Sequence, residues 1–449
     1  MKPSLKPLPP RAAFAVLLAA LAFPAAARAQ LAAGQEKFLG NIIPAAVPSK
    51  FATYWNQVSP ENSGKWGSVE ATRNVMNWDQ LDLAYNFAQT NGFKFKAHNL
   101  VWGAQYPTWI TSLSAADQRA EIEEWIKLYG ERYPATWAVD VVNEPIKTPL
   151  PFKDALGGDG TTGWDWVITS FQLARKYFPH ARLLINEYGT ENDANARNQL
   201  LVLVNLLKDR GLIDGIGIQA HYFNLDAMTG AQMKTCLDAY AATGLDLYIS
   251  ELDIRGPLQT ESSQAAQYAE IFPAIWEHAA VKGVTLWGYI EGQTWQAGTG
   301  ILNRDGTERA AMVWLKGYVT GTLEAPAITT QPASQTVTAG NNVSFSVAAS
   351  GSAPLSYQWK FNGVSLGGGG KGTSYSITGA QAADAGSYTV TVTNTAGSVT
   401  STAATLTVNA APVSPPPSSG GGGGGGGGAI SPAFLVLLAL AGFARRRRT

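Results

Sequence analysis

Between Gly34 and about Thr322, strand-like stretches alternate with helical ones, and the alternation repeats eight times. The strand-like stretches read FLGNIIP, YWNQVSPE, FKFKAHNLVW, WAVDVVNE, ARLLINEY, GIGIQAHY, LDLYISELD and VTLWGY. Helical stretches lie between most of them, among them NWDQLDLAYNFAQTNG and AADQRAEIEEWIKLYGERY. Eight strand–helix units in some 290 residues predict an α/β fold, a closed (β/α)8 TIM barrel. A doubly wound open sheet is the competing arrangement. No glycine-rich phosphate loop follows any early strand, so the barrel is preferred.

In such a barrel the residues at the carboxyl ends of the strands face a common site. The second strand ends on Glu61, Asn62, Lys65 and Trp66, and the third on His98, Asn99 and Trp102, with Gln105 beyond. The fourth ends on Asn143 and Glu144, the fifth on Asn186, Glu187 and Tyr188, and the sixth on Gln219 and His221. The seventh supplies Glu251 and Asp253, and the eighth Trp287, with Trp295 after it. Any one of these is explicable as a turn residue or a core aromatic. Polar or aromatic groups at seven consecutive strand ends point instead to a binding cleft. Glu144 and Glu251, on strands four and seven, face each other across the mouth. Paired carboxylates, indole and phenol faces and amide side chains are the equipment of glycoside hydrolysis, in which one carboxyl protonates the leaving oxygen and the other attacks the anomeric carbon. His98 and His221 stand among only four histidines, and none shows metal-ligand spacing, so no metal is expected.

The motifs SPENSGKW, KAHNLVWGAQYPTW, VVNEP, LLINEYG, GIGIQAHY, YISELDIR and VTLWGYIEGQTW occur in this order over residues 35 to 320. On these the chain resembles glycoside hydrolase family 10, the retaining endo-β-1,4-xylanases. The resemblance implies that Glu144 is the general acid/base and Glu251 the nucleophile. It implies that Asn143 bonds the 2-hydroxyl of the reacting sugar, and that His221 and Asp253 orient and ionise Glu251. Glu61, Asn62, Lys65, His98, Trp102, Gln105, Gln219, Trp287 and Trp295 would line the glycone subsites, and Tyr188 would begin the aglycone side. Lys65 and Glu61 are expected to pair with each other. The chain departs from the family pattern at Ser63, Gly64 and Gly67, at Gly103 and Ala104, where His-Ser is frequent, at Glu187 in place of Asp, and at Gln296 in place of Arg. The expected substrate partners are xylan and xylo-oligosaccharides, acted on by a monomer without cofactor.

From Ala325 the composition turns to Thr, Ser and Val in short alternating runs, which predicts a β-sandwich. Trp359 and the pattern Asp384, Gly386, Tyr388 make residues 325–410 resemble a bacterial immunoglobulin-like domain, with Val347 and Val390 in place of its paired cysteines. Residues 411–428 form a Pro-rich and then all-glycine linker. Residues 429–449 are apolar and then carry four arginines before Thr449, which reads as a cleaved sorting signal or a membrane anchor; any membrane contact would come through this segment alone. Residues 1–29 read as a signal peptide: Lys2, Lys6 and Arg11 precede AAFAVLLAALAF, and ARA precedes a cut before Gln30, so residues 30–324 would be the mature barrel. Export to the cell surface or medium is therefore expected, and Cys236, the lone cysteine, has no internal disulfide partner. Without the two terminal segments the chain carries 25 cations against 33 acids, which disfavours nucleic acid as a partner.

Overall fold

The computed structural model describes residues 30–412; the expected leader, and the linker and tail beyond residue 412, lie outside them. Strands β1 (Phe38–Ile43), β2 (Gln57–Pro60), β3 (Lys94–Trp102), β4 (Ala138–Asn143), β5 (Arg182–Glu187), β6 (Gly215–Ile218), β7 (Asp246–Leu252) and β8 (Val281–Leu286) pair in parallel and in sequence order. β1 pairs back onto β8, Phe38 opposite Gly283, so the sheet is a closed eight-stranded barrel, as predicted. The connecting helices are α1 (Phe51–Tyr54), α2 (Trp66–Val69), α3 (Asp79–Thr90), α4 (Ala115–Arg132), α5 (Asp165–Tyr177), α6 (Ala194–Lys208), α7 (Tyr222–Leu225), α8 (Gly230–Ala241), α9 (Glu261–Trp276) and α10 (Ala310–Thr320).

The sequence places two strand starts incorrectly. Tyr54 closes α1 instead of opening β2, and β8 begins at Val281, three residues before the apolar run VTL. Exposed Lys282 and side-chain-free Gly283 conceal the early part of β8. Gly283 cannot carry a side chain, because a Cβ there would enter the ring of Phe38. That ring closes the lower end of the barrel with Trp137 and Tyr248, at centroid separations of 5.3 and 6.2 Å. Helix starts are set by ordinary caps: Ser114 for α4, Asp193 for α6, Thr229 with Gln232 as a capping box for α8, and Thr260 for α9.

Above the aromatic floor the barrel interior is polar. Lys96 Nζ donates to Asp140 Oδ2 at 2.5 Å, and both side chains are buried. Thr285 Oγ1 donates to Gln57 Oε1 at 2.8 Å, and Ser250 Oγ to Asn186 Oδ1 at 2.5 Å. A buried polar group without a partner costs about 1–3 kcal/mol, so these side chains interlock between adjacent or next-but-one strands rather than standing alone.

The immunoglobulin-like part has its own core, built on Trp359, Tyr388, Val347 and Val390, and shares no buried residue with the barrel cluster. Its strand Ser356–Phe361 pairs antiparallel with Gly386–Asn394, which pairs with Ala404–Asn409; Gln335–Thr338 joins the last of these in parallel. Tyr388 donates its hydroxyl to the Asp384 carbonyl at 2.8 Å, which is the physical content of the D-x-G-x-Y pattern. Both valines expected to replace the disulfide are buried in this core. Across to the barrel, Trp314 Nε1 on α10 donates to Thr395 Oγ1 at 3.2 Å. A chain ending at Glu324 is therefore expected to unfold in one cooperative transition, less stable by about 1–3 kcal/mol, the cost of leaving the buried Trp314 indole N–H without its partner. Urea titration followed by near-UV circular dichroism checks this; loss of the near-UV signal without denaturant would contradict it.

Candidate active site

The carboxyl ends of the strands open on a cleft of about 480 Å3. It is lined by Glu61, Asn62, Lys65, His98, Trp102, Gln105, Asn143, Glu144, Tyr188, Gln219, His221, Glu251, Trp287 and Trp295, and by Phe223. Every site residue that the family resemblance implies except Asp253 is in this wall, whereas the strand-end residues Trp66, Asn99, Asn186 and Glu187 do not line it. Asp253 lies behind it and acts on its neighbours.

Glu251, at the end of β7, is buried, and its carboxylate is surrounded by donors. Asn186 Nδ2 donates to Oε1 at 2.6 Å, His221 Nε2 lies 3.5 Å from Oε2, and His98 Nδ1 lies 3.9 Å from Oε1. Burial alone would raise its pKa, but His98, His221 and, more distantly, Lys96 outweigh burial and bring it down to about 2. Burial also works against a charged His221, yet Asp253 and Glu251 push that imidazole up to about 10. Asp253 Oδ2 takes His221 Nδ1 at 3.1 Å and the Trp295 indole N–H at 2.6 Å, while Oδ1 accepts from the Tyr222 amide at 2.6 Å. One carboxylate thus fixes the imidazole, an indole wall and the start of α7.

Glu144 follows β4 with φ of +54°, a left-handed conformation that costs a non-glycine residue of order 1–3 kcal/mol. Two backbone bonds hold it there: Glu144 N donates to Asn186 O at 2.7 Å, and Thr148 N donates to Glu144 O at 2.8 Å. The turn directs the carboxyl into the cleft instead of along the strand. Four donors meet it: Trp102 Nε1 at 3.0 Å and Thr148 Oγ1 at 2.8 Å on Oε2, Gln219 Nε2 at 3.1 Å and Asn143 Nδ2 at 3.2 Å on Oε1. Asn143 Oδ1 in turn accepts from Asn186 Nδ2 at 2.7 Å, so an unbroken line of amides runs from Glu144 through Asn143 and Asn186 to Glu251.

Glu187 sits beneath Glu144. Burial pushes its pKa up to about 8, with Glu144 adding to the rise, against the amides of Ile146, Tyr188 and Lys147 that bond its carboxyl. Because those amides belong to the segment after Glu144 and to Tyr188, Glu187 ties the two together.

At the other end of the cleft, Asn62 Oδ1 accepts from Lys65 Nζ at 3.2 Å and from Gln105 Nε2 at 3.1 Å. Lys65 Nζ also lies 4.9 Å from the centroid of the Trp102 ring. The expected Lys65–Glu61 pair does not form: among the described residues no ion pair joins them, and Lys65 bonds Asn62, three residues earlier in the turn before α2. Burial lowers the Lys65 pKa and raises that of Glu61, each opposed by the other's charge at longer range. Trp287 meets His98 edge-on at 5.0 Å. Phe223 and Thr148 do not stand out in the sequence. Phe223 is half exposed beside Tyr188 and His221, in a short helix with no periodic signal, and Thr148 lies in a loop.

The profile of glycosyl hydrolase family 10 matches residues 20–318, and an immunoglobulin domain profile matches residues 325–394. The chain is 44% identical over 283 residues to endo-1,4-beta-xylanase B of Cellvibrio japonicus, covering 62% of this chain and 45% of that protein. It is 31% identical over 275 residues to endo-1,4-beta-xylanase C of Phanerodontia chrysosporium, covering 60% of this chain and 67% of that one. The match thus spans less than half the length of the Cellvibrio relative. The structure of Penicillium canescens endo-1,4-beta-xylanase XylE aligns with a TM-score of 0.58 at 22% identity, over 65% of this chain and 96% of that chain, a likeness of fold. With a family profile spanning most of its length, a closed eight-stranded barrel and two carboxylates joined across its mouth, the chain belongs to glycosyl hydrolase family 10.

Proposed function

We propose that the chain is an exported endo-1,4-β-xylanase that hydrolyses internal β-1,4 bonds of xylan with retention of configuration. The observation that carries this reading is the contrast between two carboxylates sharing one cleft. Glu251 is held ionised by flanking imidazoles, as a nucleophile must be, while Glu144 is met by uncharged donors that serve either protonation state. In the first step Glu144 gives its proton to the leaving glycosidic oxygen as Glu251 attacks the anomeric carbon. In the second, Glu144 takes a proton from water, which displaces Glu251 from the sugar. Asn143 supports the 2-hydroxyl of the reacting ring, and the indoles of Trp102, Trp287 and Trp295 supply faces for sugar rings. The name shared by the relatives agrees with xylan as substrate. Export rests on the first 29 residues of the sequence.

Product analysis on purified protein tests the reading directly. Linear xylan and xylo-oligosaccharides are expected to yield short β-configured products, with little release from carboxymethylcellulose. An α-configured first product, or faster cleavage of the cellulose derivative, would overturn it. Replacement of the carboxylates separates their roles. Glu251→Ala is expected to be inactive on every substrate. Glu144→Ala is expected to retain slow glycosylation with a dinitrophenolate leaving group and to form a β-glycosyl azide when azide is added. A β-azide from Glu251→Ala instead would reverse the assignment.

A further outcome follows from the charge on Glu251. Its depressed pKa keeps the carboxylate ionised down to about pH 2, so the acid limb of kcat/KM lies well below the ordinary carboxylate range. His221→Asn removes a cation from beside it, which destabilises the ionised form. The acid limb is then expected to move to higher pH by about 1–2 units. An unmoved limb would show that His221 does not set the charge of Glu251.

A further inference from the structure

Four groups donate to Glu144, and three of them can only donate: the Trp102 indole N–H and the amide NH2 groups of Gln219 and Asn143. The fourth, the Thr148 hydroxyl, is a rotor with one hydrogen to place and lone pairs to accept with. It can therefore either donate to Glu144 Oε2 or accept from it. Its backbone is anchored independently, since Thr148 N donates to Glu144 O at 2.8 Å.

The closeness of this segment depends on Gly103, at the exit of β3. A Cβ on Gly103 would overlap the carbonyl oxygens of Thr148 and Pro149. With glycine there, residues 148 and 149 pass directly over the strand end, and the hydroxyl comes to 2.8 Å from the carboxylate.

We propose that Thr148 is a positioning residue that lets Glu144 alternate between acid and base; the proposal rests on the assignment of Glu144 made above. When Glu144 is a carboxylate, the Thr148 hydroxyl donates to Oε2. When Oε2 carries the proton, the Thr148 hydroxyl turns its hydrogen away and presents a lone pair instead. The contact is kept in both states, so the carboxyl holds its place while its proton passes to the leaving oxygen. No bond is made or broken at Thr148, and the proton itself passes only between Glu144, the leaving group and water.

The charged or titratable groups around Glu144 are Lys65 after β2, Glu187 and Tyr188 on β5 and its loop, and Glu251 on β7. Replacing Thr148 removes none of them. Removing a donor to the carboxylate favours its protonated form, and the protonated form is the one that reacts in the first step. The basic limb of kcat/KM therefore moves to higher pH.

The test uses the full chain, xylo-oligosaccharides as substrate and three variants. Thr148→Val, which keeps the shape without the hydroxyl, is expected to raise the basic limb by about one unit, the equivalent of one hydrogen bond to a charged group. Thr148→Ser, which keeps the rotor, is expected to leave it within a few tenths of a unit of the wild type. Gly103→Ala, which displaces the segment, is expected to shift it in the same direction as Thr148→Val. An unmoved limb in Thr148→Val, or an equal shift in Thr148→Ser, overturns the proposal. Should the valine variant fail to fold by circular dichroism, Thr148→Ala carries the same expectation and the same refutation. A wild-type protein without activity on xylo-oligosaccharides would refute the functional reading, a result distinct from an active wild type whose variants do not shift.

Discussion

A full negative charge on Glu251 is buried in the barrel mouth, and most of the polar structure around it answers to that charge. An isolated buried carboxylate would take up a proton rather than stay ionised. Here Asn186 donates to one oxygen, and His221 and His98 flank the two oxygens from β6 and β3. Each of those groups then needs a partner of its own. His221 leans on Asp253, which also takes the Trp295 indole; His98 Nδ1 lies 2.9 Å from Asp140 Oδ2, which also takes Lys96. Side chains from five strands or their ends are thereby committed before any substrate enters.

Glu144 is held by the opposite strategy. Its donors are neutral, so they orient the carboxyl without supplying the charge that would hold it ionised throughout the cycle. Its backbone sits in a conformation that a glutamate adopts only when neighbouring bonds impose it. The amides of Asn143 and Asn186 join the two carboxylates rigidly, so displacement of one is felt by the other. A cleft that must present one constant anion and one alternating acid needs these two kinds of surroundings close together.

The barrel was legible in the sequence because strand composition and spacing repeat eight times, polar strand ends seven, and all agree with one another. The site residues were legible for the same reason: a residue at the end of a predicted strand has a predictable direction, as at Asn143, Gln219 and Glu251. The loops broke that logic. Lys65 and Glu61 are close in sequence, and their opposite charges invite pairing, yet the fold turns Lys65 onto Asn62 and the Trp102 face. Thr148 and Phe223 owe their positions to where a loop and a short helix happen to run. Asn186 shows an intermediate case: its place at a strand end was evident, but its double donation to Asn143 and Glu251 depends on register between strands, which β4 and β5 set only on pairing. The start of β8 was hidden because Gly283 and Lys282 carry no apolar signal, although the packing of Phe38 demands the glycine.

The Lys96–Asp140 pair does not line the cleft and meets its wall at His98. Removing two charges from water costs several kcal/mol per ion, and their mutual attraction repays this only with good geometry and further hydrogen bonds. One oxygen of Asp140 accepts from Lys96 and lies in reach of His98, while Oδ1 has no hydrogen-bond partner among the described residues, so compensation is incomplete. By itself the pair is thus a poor source of stability, and apolar side chains of similar volume could fill the same space. What an apolar pair could not supply is the orientation of His98 and the long-range positive potential of Lys96 that contributes to holding Glu251 ionised. The lower barrel is already closed by Phe38, Trp137 and Tyr248, which give that level of the fold its packing without polar help. Stability and electrostatics are therefore assigned to successive levels of one barrel: an aromatic floor that packs, a charged middle that holds an imidazole, and a rim where two carboxylates meet the cleft.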